Sequence, residues 1–418
     1  MVPPRSLRSL PAEGVQQGLE RPGARPVVLP TEAAQAAHVP RVESRLPDVG
    51  TTIFTVMSAL ASERGAVNLG QGFPDFDCDP KLVDAVDAAM RAGLNQYPPM
   101  TGVPVLRERI AAKIEALYGR RYDPASEITV TAGATQAILT AVLAFVGPGG
   151  EVIVLDPCYD SYAPNVALAG GRTVHVPLQP ATFAPDFDRI AAALTPRTRA
   201  LIVNSPHNPS GTVWSAADMQ RLEELLAPTD VVVISDEVYE HMVYEGEHPS
   251  AARYPGLAAR TVVVSSFGKT YHVTGWKVGY AAAPAALSAE FRKVHQFNVF
   301  TVNTPMQHGL ASHLADPSHH TTLAAFYRAK RDRFRAGLAP TRLRLLPCQG
   351  TYFQCVDYSA VSELGDDAFC RWLTTEVGVA AIPLSAFYAD GFDQRIARFC
   401  FAKKDETLDL ALERLRAL

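Results

Sequence analysis

Lys269 and Lys277 lie in the run Ser265-Ser-Phe-Gly-Lys-Thr-Tyr-His-Val-Thr-Gly-Trp-Lys277, a Lys-x7-Lys spacing that crowds amines, hydroxyls and glycines together. Three chemistries use such a set. Gly268-Lys269-Thr270 could close a phosphate-binding P-loop, but that loop needs a glycine at position 263, where the chain has Val263. Ser266-Phe-Gly-Lys269 also fits the S-x-x-K of serine acyl-transfer enzymes, which require a K-T-G strand and a secretory context as well. The third chemistry makes Lys269 an amine that forms a Schiff base with an aldehyde cofactor, with Ser266 and Lys277 on its phosphate. That is the chemistry of pyridoxal phosphate (PLP). A solvated loop lysine is the plain alternative, and what sets it aside lies elsewhere in the chain.

Leu201-Ile-Val-Asn-Ser-Pro-His-Asn208-Pro-Ser-Gly211 is a strand emptying into an Asn-Pro-x-Gly turn. Val231-Val-Val-Ile-Ser-Asp236-Glu-Val-Tyr239 is a second buried strand, with an acid at its end and a tyrosine shortly after. With these motifs in this order the chain resembles a fold-type I, class I PLP-dependent aminotransferase. It is most similar to the group holding kynurenine aminotransferase, glutamine transaminase K and bacterial methionine aminotransferase. The resemblance runs from about Phe54 to Arg398 and leaves the N-terminal stretch outside.

The resemblance implies a role for each matching residue. Lys269 carries the cofactor and then moves a proton from the substrate Cα. Asp236 holds the pyridine nitrogen protonated, while Tyr239 and Asn208 bond the ring oxygen. Gly133, Ala134 and Thr135 cradle the phosphate with Ser266 and Lys277, although a plain strand-to-helix turn would look much the same. Tyr159 stacks on the ring face, with core packing as the ordinary alternative. Tyr97 reaches the cofactor phosphate of a neighbouring subunit, against the ordinary reading of a buried tyrosine at a turn. Arg398 clamps the substrate α-carboxylate, with Arg395 as a nearby competitor and a surface salt bridge as the ordinary reading of either. A backbone N–H near Gly72 meets the same carboxylate. Lysine at position 277, where many relatives have arginine, also occurs in the kynurenine and methionine group. Relatives acting on acidic substrates place an arginine between positions 296 and 305; here there is none, and Phe54 and Phe300 offer an apolar lining. An uncharged donor is expected: methionine, an aromatic amino acid, glutamine or kynurenine.

Positioning these residues calls for alternating strands and helices. Apolar runs at 128–131, 152–155, 201–204, 231–234 and 261–264 read as strands, with helical spacing between them. The fold class expected is α/β, a mainly parallel sheet with helices on both faces plus a smaller α/β domain. Asp79-Pro80 reads as a helix start and Gly93 as its stop. Ile53, Val56, Met57 and Leu60 mark a helix over 52–63, and Ile396–Phe401 a strand with Arg398 opposite in parity to Phe399 and Phe401. Residues 1–48 are expected to be a disordered extension, 49–80 with 316–418 the small domain, and 81–315 the large cofactor-binding domain.

At 418 residues the chain is long enough for two domains, and a 47% hydrophobic share excludes a disordered protein. A net charge of −4 without a basic stripe argues against nucleic acid. No apolar run approaches a membrane span. Six cysteines without a C-x-x-C pair or a His/Cys cluster read as thiols in a reducing, cytoplasmic compartment, with no metal expected. Small-molecule amino acids and 2-oxo acids are the expected partners, and the resemblance implies a homodimer. Two other readings compete. A C–S β-lyase would use the same carbanion to expel a β-thiolate. A non-enzymatic regulator would need a DNA-binding segment, and the first 48 residues show no helix-turn-helix pattern.

Overall fold

The apolar runs between positions 128 and 282 pair into a sheet that is buried on both faces. In the computed structural model, which describes residues 40–418, the strands are β1 (Val67–Asn68), β2 (Ile128–Thr131), β3 (Glu151–Asp156), β4 (Arg172–Pro177), β5 (Thr198–Asn204), β6 (Val232–Asp236), β7 (Thr261–Ser266), β8 (Gly279–Ala282), β9 (Arg344–Leu345), β10 (Phe353–Asp357), β11 (Val379–Ala380), β12 (Ile382–Pro383) and β13 (Ile396–Cys400). Of the stretch expected as an extension, residues 1–39 lie outside the described residues. Residues 45–418 form one compact unit.

The large sheet has the order β2-β8-β7-β6-β5-β3-β4. Its β4, β3, β5, β6 and β7 run parallel, while β8 is antiparallel to both β7 and β2. Side chains alternate between two cores. Val152, Val154, Ala200, Ile202, Ile234, Val262 and Val264 face one of them, where Ala137, Ile138 and Phe291 pack from helices Gly133–Phe145 and Ala285–Asn298. Ile153, Leu201, Val203, Val233 and Val263 face the other, where Met219, Leu222 and Leu226 pack from helix Ala216–Leu226. Burial on both faces explains the near-continuous Val/Ile runs, because neither side needs polar residues. The expected α/β architecture is what forms, with helices on both faces.

A second sheet, β12-β13-β10-β9, is antiparallel. Arg398 on β13 pairs with Cys355 on β10 and with Ile382 on β12. Phe399 packs with its ring 5.9 Å from Phe334, on the opposite side of β13 from Arg398, as the parity required. The short parallel pair β1–β11 joins residues 67–68 to 379–380. Asp79 caps helix Pro80–Arg91 through the Lys81 N–H, and Gly93 stops it in the left-handed conformation. Helix Ile53–Arg64 likewise stands where the 52–63 spacing put it.

Candidate active site

The carboxyl ends of β5, β6 and β7 empty onto one rim of the large sheet, where open α/β folds place their ligands. There Asn208, Asp236, Tyr239, Ser266 and Lys269 line a single cavity with Lys277, Tyr159 and the first residues of helix Gly133–Phe145. Lys269 follows β7 directly, on the short turn Phe267–Thr270. Its Nζ donates to the Gly72 carbonyl at 3.1 Å and to the Tyr352 hydroxyl at 2.9 Å. Burial pulls the Lys269 amine down to about 8; the Lys277 and Arg398 charges add to the fall, and Cys400 and Asp236 oppose it.

Asp236 is buried, and burial raises its carboxyl to about 6, against the pull of the Tyr162 hydroxyl. Tyr162 donates to Oδ2 at 2.7 Å and the Val238 N–H to Oδ1 at 3.4 Å, and Asp236 forms no ion pair among the described residues. An acid so placed is left wanting a cation. Asn204 fixes the neighbourhood: its Nδ2 donates to the Asp236 carbonyl at 2.9 Å and its Oδ1 accepts from the Asn208 N–H at 2.8 Å.

At the other end of the cavity, helix Gly133–Phe145 opens without a side-chain cap, so its first amides are available to an anion. Gly133 has φ +77°, and a Cβ there would stand 3.3 Å from Lys277 Nζ. Backbone amides, the Lys277 amine and the Ser266 hydroxyl thus face one small space.

Arg398 is 1% exposed. It donates from Nη1 to Asn208 Oδ1 at 2.7 Å and from Nη2 to the Gly70 carbonyl at 3.0 Å, while its buried Nε has no partner among the described residues. Three rings surround the guanidinium: Phe353 at 4.0 Å, Phe387 at 4.9 Å and Phe54 at 5.3 Å. A buried cation whose hydrogen-bond partners among the described residues are uncharged oxygens is suited to a carboxylate.

The chain matches the family Aminotransferase class I and II over residues 64–415. The chain belongs to the class I and II aminotransferase family. This aminotransferase is 56% identical to the methionine aminotransferase of Escherichia coli over 378 residues, 90% of this chain and 98% of that one. It is 36% identical to human kynurenine–oxoglutarate transaminase 1, covering 85% of this chain and 93% of the human one. Among solved structures, the E. coli methionine aminotransferase superposes with a TM-score of 0.90 at 55% identity, over 91% of this chain and all 100% of that one. The N-succinyldiaminopimelate aminotransferase of Mycobacterium tuberculosis follows at 0.86 and 45%, over 90% and 100%.

Most of the residues expected at the site of this aminotransferase do meet in one chain; two do not. Tyr97 is 82% exposed rather than buried at its turn, and it packs edge-on against Phe300 at 5.5 Å. Tyr97 lines a separate surface groove with Thr301–Pro305, away from Lys269. Gly72 approaches as closely as a glycine must, since a Cβ would meet Phe353 at 3.0 Å. Its carbonyl accepts from Lys269 Nζ at 3.1 Å. Arg395 is the surface arginine, paired with Glu363 at 2.8 Å.

Sequence reasoning missed Tyr352, Phe353, Phe387, Asn204 and Tyr162. Tyr352 is held on both sides: it accepts from Lys269 and donates to the Gly72 carbonyl at 2.6 Å. Asn204, at the end of a buried strand, carried the same signal as Asp236. The others depend on contacts between distant segments.

Proposed function

We propose that this aminotransferase uses pyridoxal phosphate to move the amino group of an uncharged L-amino acid, methionine foremost, to a 2-oxo acid. One observation carries the reading: a buried amine brought to about 8 shares a cavity with an anion cradle and a buried carboxylate that has no ion pair among the described residues. The residues fit the cofactor. Asp236 would meet the pyridinium, Tyr239 and Asn208 the ring oxygen, and Tyr159 the ring face. Gly133, Ala134, Thr135, Ser266 and Lys277 would hold the phosphate, and Lys269 the aldehyde carbon.

When bound, the cofactor supplies a protonated ring that takes up the electron pair left at the substrate Cα. The chain's own part is to bind, orient and move a proton. Arg398 takes the α-carboxylate in its fork, and the Phe54, Phe353 and Phe387 rings keep water from that pair and strengthen it. With the carboxylate fixed, the substrate Cα–H is presented to Lys269. Its Nζ is a competent base because its pKa lies near neutrality rather than near the ~10.4 of a solvated lysine. The side-chain end of the substrate meets aromatic walls, which favours methionine and aromatic donors over acidic ones. Support for methionine comes from the 56% identity to the E. coli enzyme.

The reading extends to the whole protein. Two copies would pair so that Tyr97 and Phe300 of each complete the site of the other, which accounts for an aromatic pair that stands exposed on one chain. Residues 49–80 with 316–418 would form the smaller domain, consistent with the β1–β11 pair and with the second sheet spanning 344–400. A cytoplasmic setting suits six cysteines that are all free. Among the described residues no helix is long and apolar enough to cross a membrane. No contact in the site favours expulsion of a β-thiolate, and the relatives above are aminotransferases by name.

The test is an absorbance spectrum of the purified protein. A visible cofactor band that bleaches with methionine and returns with a 2-oxo acid is expected. A wild-type spectrum identical to that of Lys269→Ala, even after PLP is supplied, would sink the proposal.

A further inference from the structure

Four successive carbonyls of the loop that follows β1 each accept from a cationic side chain. Arg398 Nη2 donates to the Gly70 carbonyl at 3.0 Å and Lys269 Nζ to that of Gly72 at 3.1 Å. Lys403 Nζ donates to the Phe73 carbonyl at 2.8 Å and, more distantly, to that of Gln71 at 3.4 Å. The same amine stands 5.2 Å from the centre of the Phe73 ring, so this residue of the loop is gripped at its carbonyl and at its ring face. Lys403 is 4% exposed and has no ion pair among the described residues, and it does not line the cavity that Lys269 shares with Asp236. A buried ammonium is costly unless it is hydrogen-bonded, and an apolar side chain of similar volume could fill its place. What the charge adds is the hold on the loop, because a charged donor bonds a carbonyl more strongly than a neutral one.

Lys403 lies just past the end of β13, on the segment that carries Arg398. The next residues of that segment grip the loop again. The Lys404 N–H donates to Asp75 Oδ1 at 2.5 Å and the Thr407 hydroxyl to Asp75 Oδ2 at 2.7 Å. The loop therefore spans the two groups assigned above to the reaction, Arg398 at Gly70 and Lys269 at Gly72. Of the three cations on its carbonyls, Lys403 alone has no part in that reaction.

We propose, resting on the aminotransferase reading above, that Lys403 is a positioning residue that keeps residues 70–73 beside Arg398 while Arg398 and Lys269 turn to substrate and cofactor. At that moment Lys403 supplies the one cationic tie that remains. Its effect passes through the loop to Arg398, whose fork rests on the Gly70 carbonyl, so its loss weakens capture of the substrate carboxylate. Lys269 and Asp236 are carried by the rim of the large sheet and keep their geometry, so proton transfer itself changes little.

The test uses Lys403→Met in the full-length chain, which keeps the apolar stem and drops the charge. Hydrogen exchange read by mass spectrometry, without added ligand, reports on the loop directly. Peptides covering 70–76 should exchange roughly tenfold faster when Lys403→Met is added to Lys269→Ala, with β5 and β6 unchanged. In the cofactor-loaded single variant, KM for methionine should rise at least about tenfold while kcat stays within about threefold. Exchange over 70–76 equal to that of the parent overturns the proposal, and so does a fall in kcat with KM unchanged. Wild-type activity separates this proposal from the reading it rests on. Where wild type transaminates methionine and the variant's KM matches it, the role of Lys403 alone is lost; where wild type transaminates no uncharged donor, the aminotransferase reading falls and this proposal with it. If Lys403→Met does not fold, Lys403→Gln, one bond shorter and uncharged, is read in its place.

Discussion

Asp236 is held buried without an ion pair among the described residues, which costs the cofactor-free fold and, on the proposed function, would favour the bound cofactor. Its folded pKa of about 6 lies above the ordinary ~3.9 of an aspartate, so the folded chain binds more protons than the unfolded one between these values. The contribution of Asp236 to the stability of the cofactor-free protein is therefore most favourable below about pH 4, falls as pH rises toward about 6, and is level above that. Asp236→Asn removes the buried charge with little change of shape. At pH 7 it should stabilise the cofactor-free protein by up to about 3 kcal/mol, seen as a higher melting temperature, with the gain vanishing at pH 4. On the proposed function, transamination should meanwhile fall by about 10² or more, since the charge proposed to face the ring is gone. A variant no more stable than wild type at pH 7 would show that Asp236 carries no such strain. Lys269 follows the same logic with the opposite sign: its lowered pKa costs stability below about 8, a cost relieved as pH climbs toward the ordinary lysine value.

At the scale of elements, the opening of helix Gly133–Phe145 has two requirements, a left-handed turn and an unfilled space against Lys277. Gly133→Ala violates both. It should cost about 1 kcal/mol for the φ of +77° and weaken cofactor binding roughly tenfold by crowding the amine. Gly93→Ala is the control: its φ is +80° but nothing lies within 4 Å, so stability should fall similarly with cofactor affinity unchanged. Equilibrium dialysis of PLP against both variants separates strain from crowding. This helix start was legible in the sequence because Ala-Gly-Ala-Thr follows a short apolar strand, and so were β3, β5, β6 and β7, whose two buried faces leave unbroken Val/Ile runs. The antiparallel direction of β8 was not legible, since Gly-Tyr-Ala-Ala carries no mark of direction. Arg398 could be placed by strand parity. Its ring neighbours Phe353 and Phe387 could not, because they reach it across strand pairings and a short turn that no local pattern encodes. Asp79 was read correctly as a cap, yet its second oxygen faces a histidine far along the chain, a pairing only the fold creates.

For the whole molecule, the exposed Tyr97–Phe300 pair makes the proposed pairing of two copies testable without a structure of the pair. Lys269→Ala and Tyr97→Ala should each be nearly inactive alone. Mixed and allowed to exchange, they should recover about a quarter of wild-type activity, because half the pairs are mixed and each holds one intact site. No recovery, with exchange verified by mass, would place Tyr97 in the site of its own chain or in none. The triangle of Lys269, Gly72 and Tyr352 has a different kind of consequence. The Gly72 carbonyl receives both the lysine amine and the tyrosine hydroxyl, and these three residues come from segments far apart in the chain. The free amine thus adds a second tie to the 70–76 loop at this carbonyl, and an amine engaged elsewhere would leave the tyrosine to hold the Gly72 carbonyl alone. On the proposed function, the hold on the loop beside the site would thus depend on whether the nitrogen proposed to do the chemistry is free or engaged.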